Sequence, residues 1–289
     1  MMRKPVRLRD FIEDCEGRLY AVAAYDNSEK IGCLLRYIPD PSGKRRRPNG
    51  RMYRKVDFDE AYSYISREKP EYADLIQRVP HEDVKRVLKP EEEMGAILRR
   101  SPLVARLAGV LGLPEGSCGC TGSYLCGLEM GESDIDLVVY GRTFFSARAI
   151  LRRGIAHGNI SPVSAEVWET IYRKRKPELS RDEFFLHERR KDNRGEIGGV
   201  YFDLLFTRSY DTLDPSPLRK GLVCGKMTIE ATVTDASLSF DSPARYLVDH
   251  NEIQRVLSFS HTYTGQEAVA TGACAALRRT DTITSTHRG

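Results

Sequence analysis

The 289-residue chain carries 45 Lys and Arg against 41 Asp and Glu, a formal net charge of +4, with 40% hydrophobic residues. That apolar content supplies one large core or two to three small domains and excludes a disordered tail protein, while the near balance of charge leaves anion binding to local clusters. No apolar run is long enough to span a bilayer, and Met1-Met2-Arg3-Lys4-Pro5 lacks the apolar core of a signal peptide, which predicts a cytoplasmic protein with no membrane partner.

Taken in chain order, Arg18 to Tyr25 alternates apolar and polar positions, Asp26-Asn27-Ser28 turns, and Ile31 to Ile38 resumes the alternation, a β-hairpin pattern. Pro39 to Gly50 follows as a basic loop holding Lys44-Arg45-Arg46-Arg47, and Arg51 to Val56 adds a strand. Residues 1–65 thus read as a small β-rich module. From Asp57, read as an N-cap, the period changes: Ala61, Tyr62 and Ile65 share a helix face. Further helices are expected at Glu71 to Arg78, His81 to Leu88, Pro90 to Arg100 and Leu103 to Leu111, so that residues 66–90 form a helical connector. Gly112, Pro114, Gly116 and Gly119 then break the pattern.

The next stretch carries the chemistry. Cys120-Thr121-Gly122-Ser123-Tyr124-Leu125-Cys126-Gly127 is followed by Asp134-Ile135-Asp136-Leu137-Val138-Val139-Tyr140-Gly141. Residues two apart on a strand point to one side, so Asp134 and Asp136 project together if the apolar residues after them mark a buried strand. Two adjacent carboxylates repel unless a cation lies between them, and Mg²⁺ takes hard oxygen ligands while keeping positions for water and phosphate. Gly122 lets backbone amides approach a phosphate, and the Ser123 hydroxyl adds a donor. The alternative is a turn entering a strand beside an ordinary helix cap. The cysteines, seven in all, are scattered and odd in number, which predicts reduced thiols. Cys118, Cys120 and Cys126 have no second couple for structural zinc, so Cys120 and Cys126 read as small residues packing beside the Gly-Ser loop.

After Gly141, Phe144 to Arg153, Ala165 to Lys174 and Arg181 to Asp192 read as helices. Gly199-Val200-Tyr201-Phe202-Asp203-Leu204-Leu205-Phe206 reads as a strand. Residues 91–215 are expected to be one domain with a mixed sheet, and residues 221–289 a small β-barrel-like domain with strands at Met227 to Val233, Leu238 to Phe240 and Ile253 to Tyr263. The fold class is α+β.

Gly-Ser, a short helix, then Asp-x-Asp on a strand resembles the nucleotidyltransferases of the DNA polymerase beta superfamily. The whole layout resembles archaeal-type members with a β-rich N-terminal module, helices, a catalytic core and a small C-terminal β-domain. It is specific at Gly122-Ser123 with Asp134 and Asp136, at Arg190-Lys191-Asp192-Asn193-Arg194-Gly195 and at Phe240-Asp241-Ser242-Pro243-Ala244-Arg245-Tyr246. Beyond about Gln266 the chain is less regular than that pattern.

The resemblance implies a third acid on a neighbouring strand, a place filled by Asp203. An ionised side chain in so apolar a run is costly to bury alone, and joining a metal cluster removes the cost; pairing with a nearby Lys or Arg is the alternative. In the implied mechanism Asp134 and Asp136 hold the nucleotide's Mg²⁺, and Asp203 helps them hold a second ion that activates an acceptor hydroxyl, with Mn²⁺ able to substitute. Gly122 and Ser123 hold the β and γ phosphates of a nucleoside triphosphate, and Lys191 or Arg194 neutralises remaining charge unless both belong to a solvated helix end. RNA is the first acceptor suggested, because Lys44 to Arg47 with Tyr53 and Arg54 offers cations and aromatics, though such a run also suits a solvated loop. A protein hydroxyl, as in antitoxin-like members, is a second acceptor. A catalytically silent nucleic-acid-binding module is a third reading, which the intact acids count against.

Overall fold

The computed structural model describes residues 4–131, 133–175, 177, 179–213, 231–249 and 255–257. The chain is α+β and divides into two units, one of Met1–Pro162 with Asn193–Pro217 and one of Val163–Asp192 with Leu218–Gly289.

The first unit begins with β1 (Phe11–Asp14), β2 (Leu19–Val22), β3 (Lys30–Pro39), β4 (Arg45–Arg46) and β5 (Met52–Lys55), followed by α1 (Phe58–Glu68). Asp57 caps α1 by accepting from the Glu60 N–H. β6 (Gln77–Pro80) and β7 (Val84–Leu88) complete a seven-stranded antiparallel sheet of order β4-β5-β3-β2-β1-β7, in which β6 pairs with β3. Glu71 to Arg78 and His81 to Leu88, expected as helices of a connector, instead hold short 3₁₀ turns at Pro70–Tyr72 and His81–Asp83 that lead into β6 and β7. The apolar spacing of Val84, Val87 and Leu88 mimics a helical face, but pairing along β1 overrides it.

Both faces of this sheet are covered. Ile12, Tyr20, Ile31, Cys33, Leu35 and Val79 pack with Ala61 and Ile65 of α1. Phe11, Leu19, Tyr37, Tyr53 and Leu88 pack on Leu125, Cys126 and Leu128, at and just after a short helix described below. Alternate residues of one strand thus serve two cores.

Next come α2 (Pro90–Arg100) and α3 (Pro102–Leu111), then β8 (Cys118–Cys120), α4 (Gly122–Cys126), β9 (Ile135–Tyr140) and α5 (Thr143–Ala156). The second unit contributes α6 (Ala165–Arg175) and α7 (Arg181–Arg189), after which β10 (Arg194–Ile197) and β11 (Val200–Thr207) return to the first. The second sheet has the order β10-β11-β9-β8, with β11 parallel to β9 and the other pairs antiparallel. Phe144 of α5 meets Phe206 of β11 edge to face at 5.6 Å.

A buried polar joint ties the first unit together. Arg7, 2% exposed, lies with its guanidinium 3.7 Å from the centre of the Tyr140 ring and 3.8 Å from that of Tyr210, and pairs with Glu91 at 2.9 Å. Both tyrosine hydroxyls donate to Glu91, and Lys89 bonds Asp10 at 2.7 Å. Removing one member of a buried ion cluster of this kind leaves the charge of its partner uncompensated.

In the second unit, Trp168 is a core residue, packed with Phe184 and Phe185 across α6 and α7. β12 (Thr232–Leu238), β13 (Arg245–Asp249) and β14 (Arg255–Leu257) form a three-stranded antiparallel sheet. The expected strand positions 227–230 and 258–263, and everything beyond Gln266, lie outside the described residues.

The basic loop also differs from its sequence reading. Arg47 donates through Nε to the Cys126 carbonyl at 2.9 Å and pairs with Glu13 at 2.8 Å, while Arg45 donates to the Leu128 carbonyl at 2.6 Å. These two guanidinia satisfy carbonyls at the end of α4 and join it to the first sheet, so only Lys44 and Arg46 of the cluster are exposed as an RNA-tracking surface requires. Arg47→Ala should cost about 2–4 kcal/mol in stability, because it strands the nearly buried Glu13 carboxylate and a helix-end carbonyl. Denaturant unfolding checks this, and Arg46→Ala, on an exposed residue, should be close to neutral.

Candidate functional site

One row of residues crosses the second sheet. Arg194 of β10 lies directly opposite Asp203 of β11, and Asp203 lies opposite Asp136 of β9. Opposite residues in a sheet present side chains to the same face, so the row places cation, acid and acid side by side. At its end, the Thr121 N–H bonds the Asp136 carbonyl at 2.9 Å. Gly122 follows in the left-handed region at φ 64°, and a Cβ there would fall 2.8 Å from Asp136 Oδ2. Glycine is required twice over, for its backbone conformation and for the close approach of the carboxylate.

Asp203 is held from two sides: Oδ1 accepts from Arg194 Nε at 2.6 Å and Oδ2 from the Tyr201 hydroxyl at 2.7 Å. The ion pair with a nearby arginine that the sequence offered for Asp203 is formed, and it sits beside Asp136 in the sheet. Asp134 is exposed immediately before β9, and its charge reaches Asp136 and Tyr124. Ser123, in the first turn of α4, is half-buried, and its carbonyl accepts the Leu128 N–H at 2.9 Å.

The Asp136 carboxyl is pushed up to about 6 by burial first, then by the charge of Asp203 and that of Asp134. Arg9 and Lys55 oppose the shift. Both come from the first sheet's side: Arg9 precedes β1, and Lys55 ends β5. Sequence reasoning missed both, because neither the Arg7-Leu8-Arg9-Asp10 string nor the end of β5 carries a motif. The one local signal, a left-handed φ of 75° at Arg9, is invisible in composition.

Two assignments change. Lys191 belongs to the second unit, where its ammonium is buried against Glu188, which also pairs with Arg175 at 3.0 Å. A lysine inside such an ion cluster is structural rather than a triphosphate ligand. Arg194 is in the site, but its Nε is committed to Asp203. The thiols of Cys118, Cys120 and Cys126 are all raised by burial, that of Cys118 to about 11, which keeps them protonated at neutral pH.

Among the described residues, no group of three or more His, Cys, Asp or Glu side chains has the spacing to grip a metal as it stands. The donor set nevertheless fits a hard divalent cation. It is all carboxylate, its central member is strained by like charge, and the space that a Cβ at 122 would fill is left open beside Asp136 Oδ2.

Over 294 aligned residues the chain is 34% identical to the uncharacterized protein MJ1086 of Methanocaldococcus jannaschii, covering 90% of this chain and 86% of that protein. The chain belongs to the MJ1086 family. No family model matches it, and no solved structure matches at a significant level. No helix among the described residues is long and apolar enough to cross a membrane.

Asp136 gives the site a definite pH signature. Its folded pKa lies above its unfolded value, so the folded protein holds this proton more tightly, and stability is lost as pH rises from about 4 through about 6. The penalty is at most about 3 kcal/mol above that window. Asp136→Asn should therefore unfold at higher denaturant than the parent at pH 7 without metal, and at the same concentration near pH 4. Adding Mn²⁺ at pH 7 should stabilise the parent and leave the variant unmoved.

Proposed function

We propose that this chain is a divalent-metal-dependent nucleotidyltransferase that moves a nucleoside monophosphate from a nucleoside triphosphate to a hydroxyl acceptor. One observation carries the reading: the row Arg194, Asp203, Asp136 across neighbouring strands, closed by Gly122 against Asp136. Like charges aligned at such cost are expected where a cation is to be bound.

When bound, two Mg²⁺ or Mn²⁺ ions would stabilise the attacking and leaving oxygens of an in-line displacement. Asp134 and Asp136 would hold the nucleotide's ion, and Asp203 would join Asp136 in holding the other. The acceptor oxygen forms a bond to the α-phosphorus as the bond from that phosphorus to the β-phosphate oxygen breaks, and pyrophosphate leaves. Arg194 and Tyr201 fix the rotamer of Asp203, which makes Arg194 a positioning residue rather than a phosphate ligand. Gly122 leaves the backbone of the loop open to phosphate, with the Ser123 hydroxyl as a further donor.

RNA and protein hydroxyls remain the two acceptor classes to compare, and the inward commitment of Arg45 and Arg47 weakens the sequence case for RNA at that loop. Incubating the protein with α-labelled nucleoside triphosphates, a divalent ion, and either total RNA or cell lysate distinguishes them by which fraction takes up label. Asp136→Asn and Asp203→Asn should each lower transfer about a thousandfold or more, the scale of losing ion stabilisation in the transition state. Transfer within tenfold of the parent in either variant would defeat the assignment. Gly122→Val should abolish transfer as well, because its Cβ occupies the space beside Asp136.

A further inference from the structure

Arg9 is held in an unusual place by bonds that lead straight to the acid row. Its φ of 75° is a conformation that residues bearing a Cβ seldom adopt. Two hydrogen bonds fix it there. The Arg9 N–H donates to the Val22 carbonyl at 3.0 Å, and the Arg9 carbonyl accepts the Thr121 hydroxyl at 2.7 Å. Thr121 is the residue whose N–H bonds the Asp136 carbonyl. Arg9 is thus one residue removed, through hydrogen bonds, from the backbone of Asp136 and from Gly122.

The side chain carries the second observation. Arg9 Nε is buried and makes no hydrogen bond among the described residues. Buried donors are almost always satisfied, so a donor without an acceptor among the described residues, close to a cluster of carboxylates, is a place where a bound anion would be accepted. Lys55, exposed at the end of β5, brings a second positive charge within reach of Asp136 from another strand of the same sheet.

We propose that Arg9, assisted by Lys55, binds the phosphate chain of the nucleotide, so that the N-terminal β-sheet forms one wall of the candidate site. This rests on the nucleotidyltransferase reading. Arg194, Arg9 and Lys55 already oppose the charge of the acids, so divalent ions entering the row add a surplus of positive charge. A polyanion such as a triphosphate cancels that surplus, whereas an uncharged nucleoside or an acceptor hydroxyl does not. A guanidinium is planar and carries parallel N–H groups, the geometry that grips two phosphate oxygens at once.

The test is calorimetric titration of the full chain with three probes: Mn²⁺ alone, a non-hydrolysable nucleoside triphosphate with Mg²⁺, and the unphosphorylated nucleoside. Arg9→Gly removes the side chain while supplying the residue that the backbone conformation favours, so its thermal midpoint should equal or exceed the parent's. Its triphosphate affinity should fall tenfold or more, its nucleoside affinity should hold, and its affinity for Mn²⁺ alone should rise severalfold because a cation facing the acids is gone. Arg9→Lys should restore part of the triphosphate affinity, and Lys55→Gln should lower it severalfold without altering the fold.

Opposite shifts for metal and triphosphate are something a merely structural Arg9 cannot produce, since a loosened site loses both together. Parent-like triphosphate binding by Arg9→Gly, or a joint loss of Mn²⁺ and triphosphate with a lowered thermal midpoint, would overturn the proposal. If the parent itself binds no triphosphate while Asp136→Asn abolishes Mn²⁺ binding, it is the nucleotidyltransferase reading that fails, and the role of Arg9 falls with it.

Discussion

Two like charges facing each other across neighbouring strands are the constraint around which the first unit is organised. Asp136 and Asp203 are brought opposite by the parallel pairing of β9 and β11, and the surroundings answer their repulsion from every side. Arg194 neutralises Asp203 from the next strand, and Arg9 and Lys55 offset Asp136 from the other sheet. Parallel pairing needs a crossover between the strands, and α5 begins that crossover while packing through Phe144 on β11. Elements remote in sequence thus serve one electrostatic arrangement.

The acid row was legible where sequence spacing maps directly onto geometry. Asp134 and Asp136 flank one apolar residue at the head of a buried run, Gly122 opens a helix, and Asp203 interrupts an apolar strand; strand periodicity puts the first two on one side, while the pairing of β9 with β11 sets Asp203 opposite Asp136. The helices α2 and α3 were legible too, because each carries an apolar stripe with Pro at its first position. What escaped was decided by partners far away in the chain. Nothing in Val84 to Leu88 reveals that β1 will pair with it. Nothing in a four-residue basic run says that alternate guanidinia will turn inward toward carbonyls of a helix some eighty positions later. Arg9 escaped because its importance lies in a backbone angle and an unsatisfied nitrogen.

Lys191 shows the same limit from the other side. A cation on the approach to the strand that carries Asp203 invites assignment to substrate, yet Glu188, one helical turn earlier, captures it, and Arg175 shares that carboxylate. Charge at a helix end is cheap to leave in water and costly to bury, so a fully enclosed lysine with a local partner is doing structural duty.

The joint around Arg7 has a bearing on how the protein reaches its native state. Arg7 meets Tyr140 at the end of β9, Glu91 in α2, and Tyr210 and the Arg208 carbonyl just past β11, the last of these 201 residues away. Contacts so distant along the chain make folding slow, because the entropy of closing the loop is lost before the contact forms. During synthesis the first sheet can assemble early, but the tyrosine that completes the stack around Arg7 emerges only after both acid-bearing strands have been made. Until then Arg7 and Glu91 lack part of their neutralising surroundings, and the nascent chain exposes an incomplete polar core. The same residue that locks the finished protein therefore makes the segment just past β11 a condition for seating the strand-entry residues around Arg7.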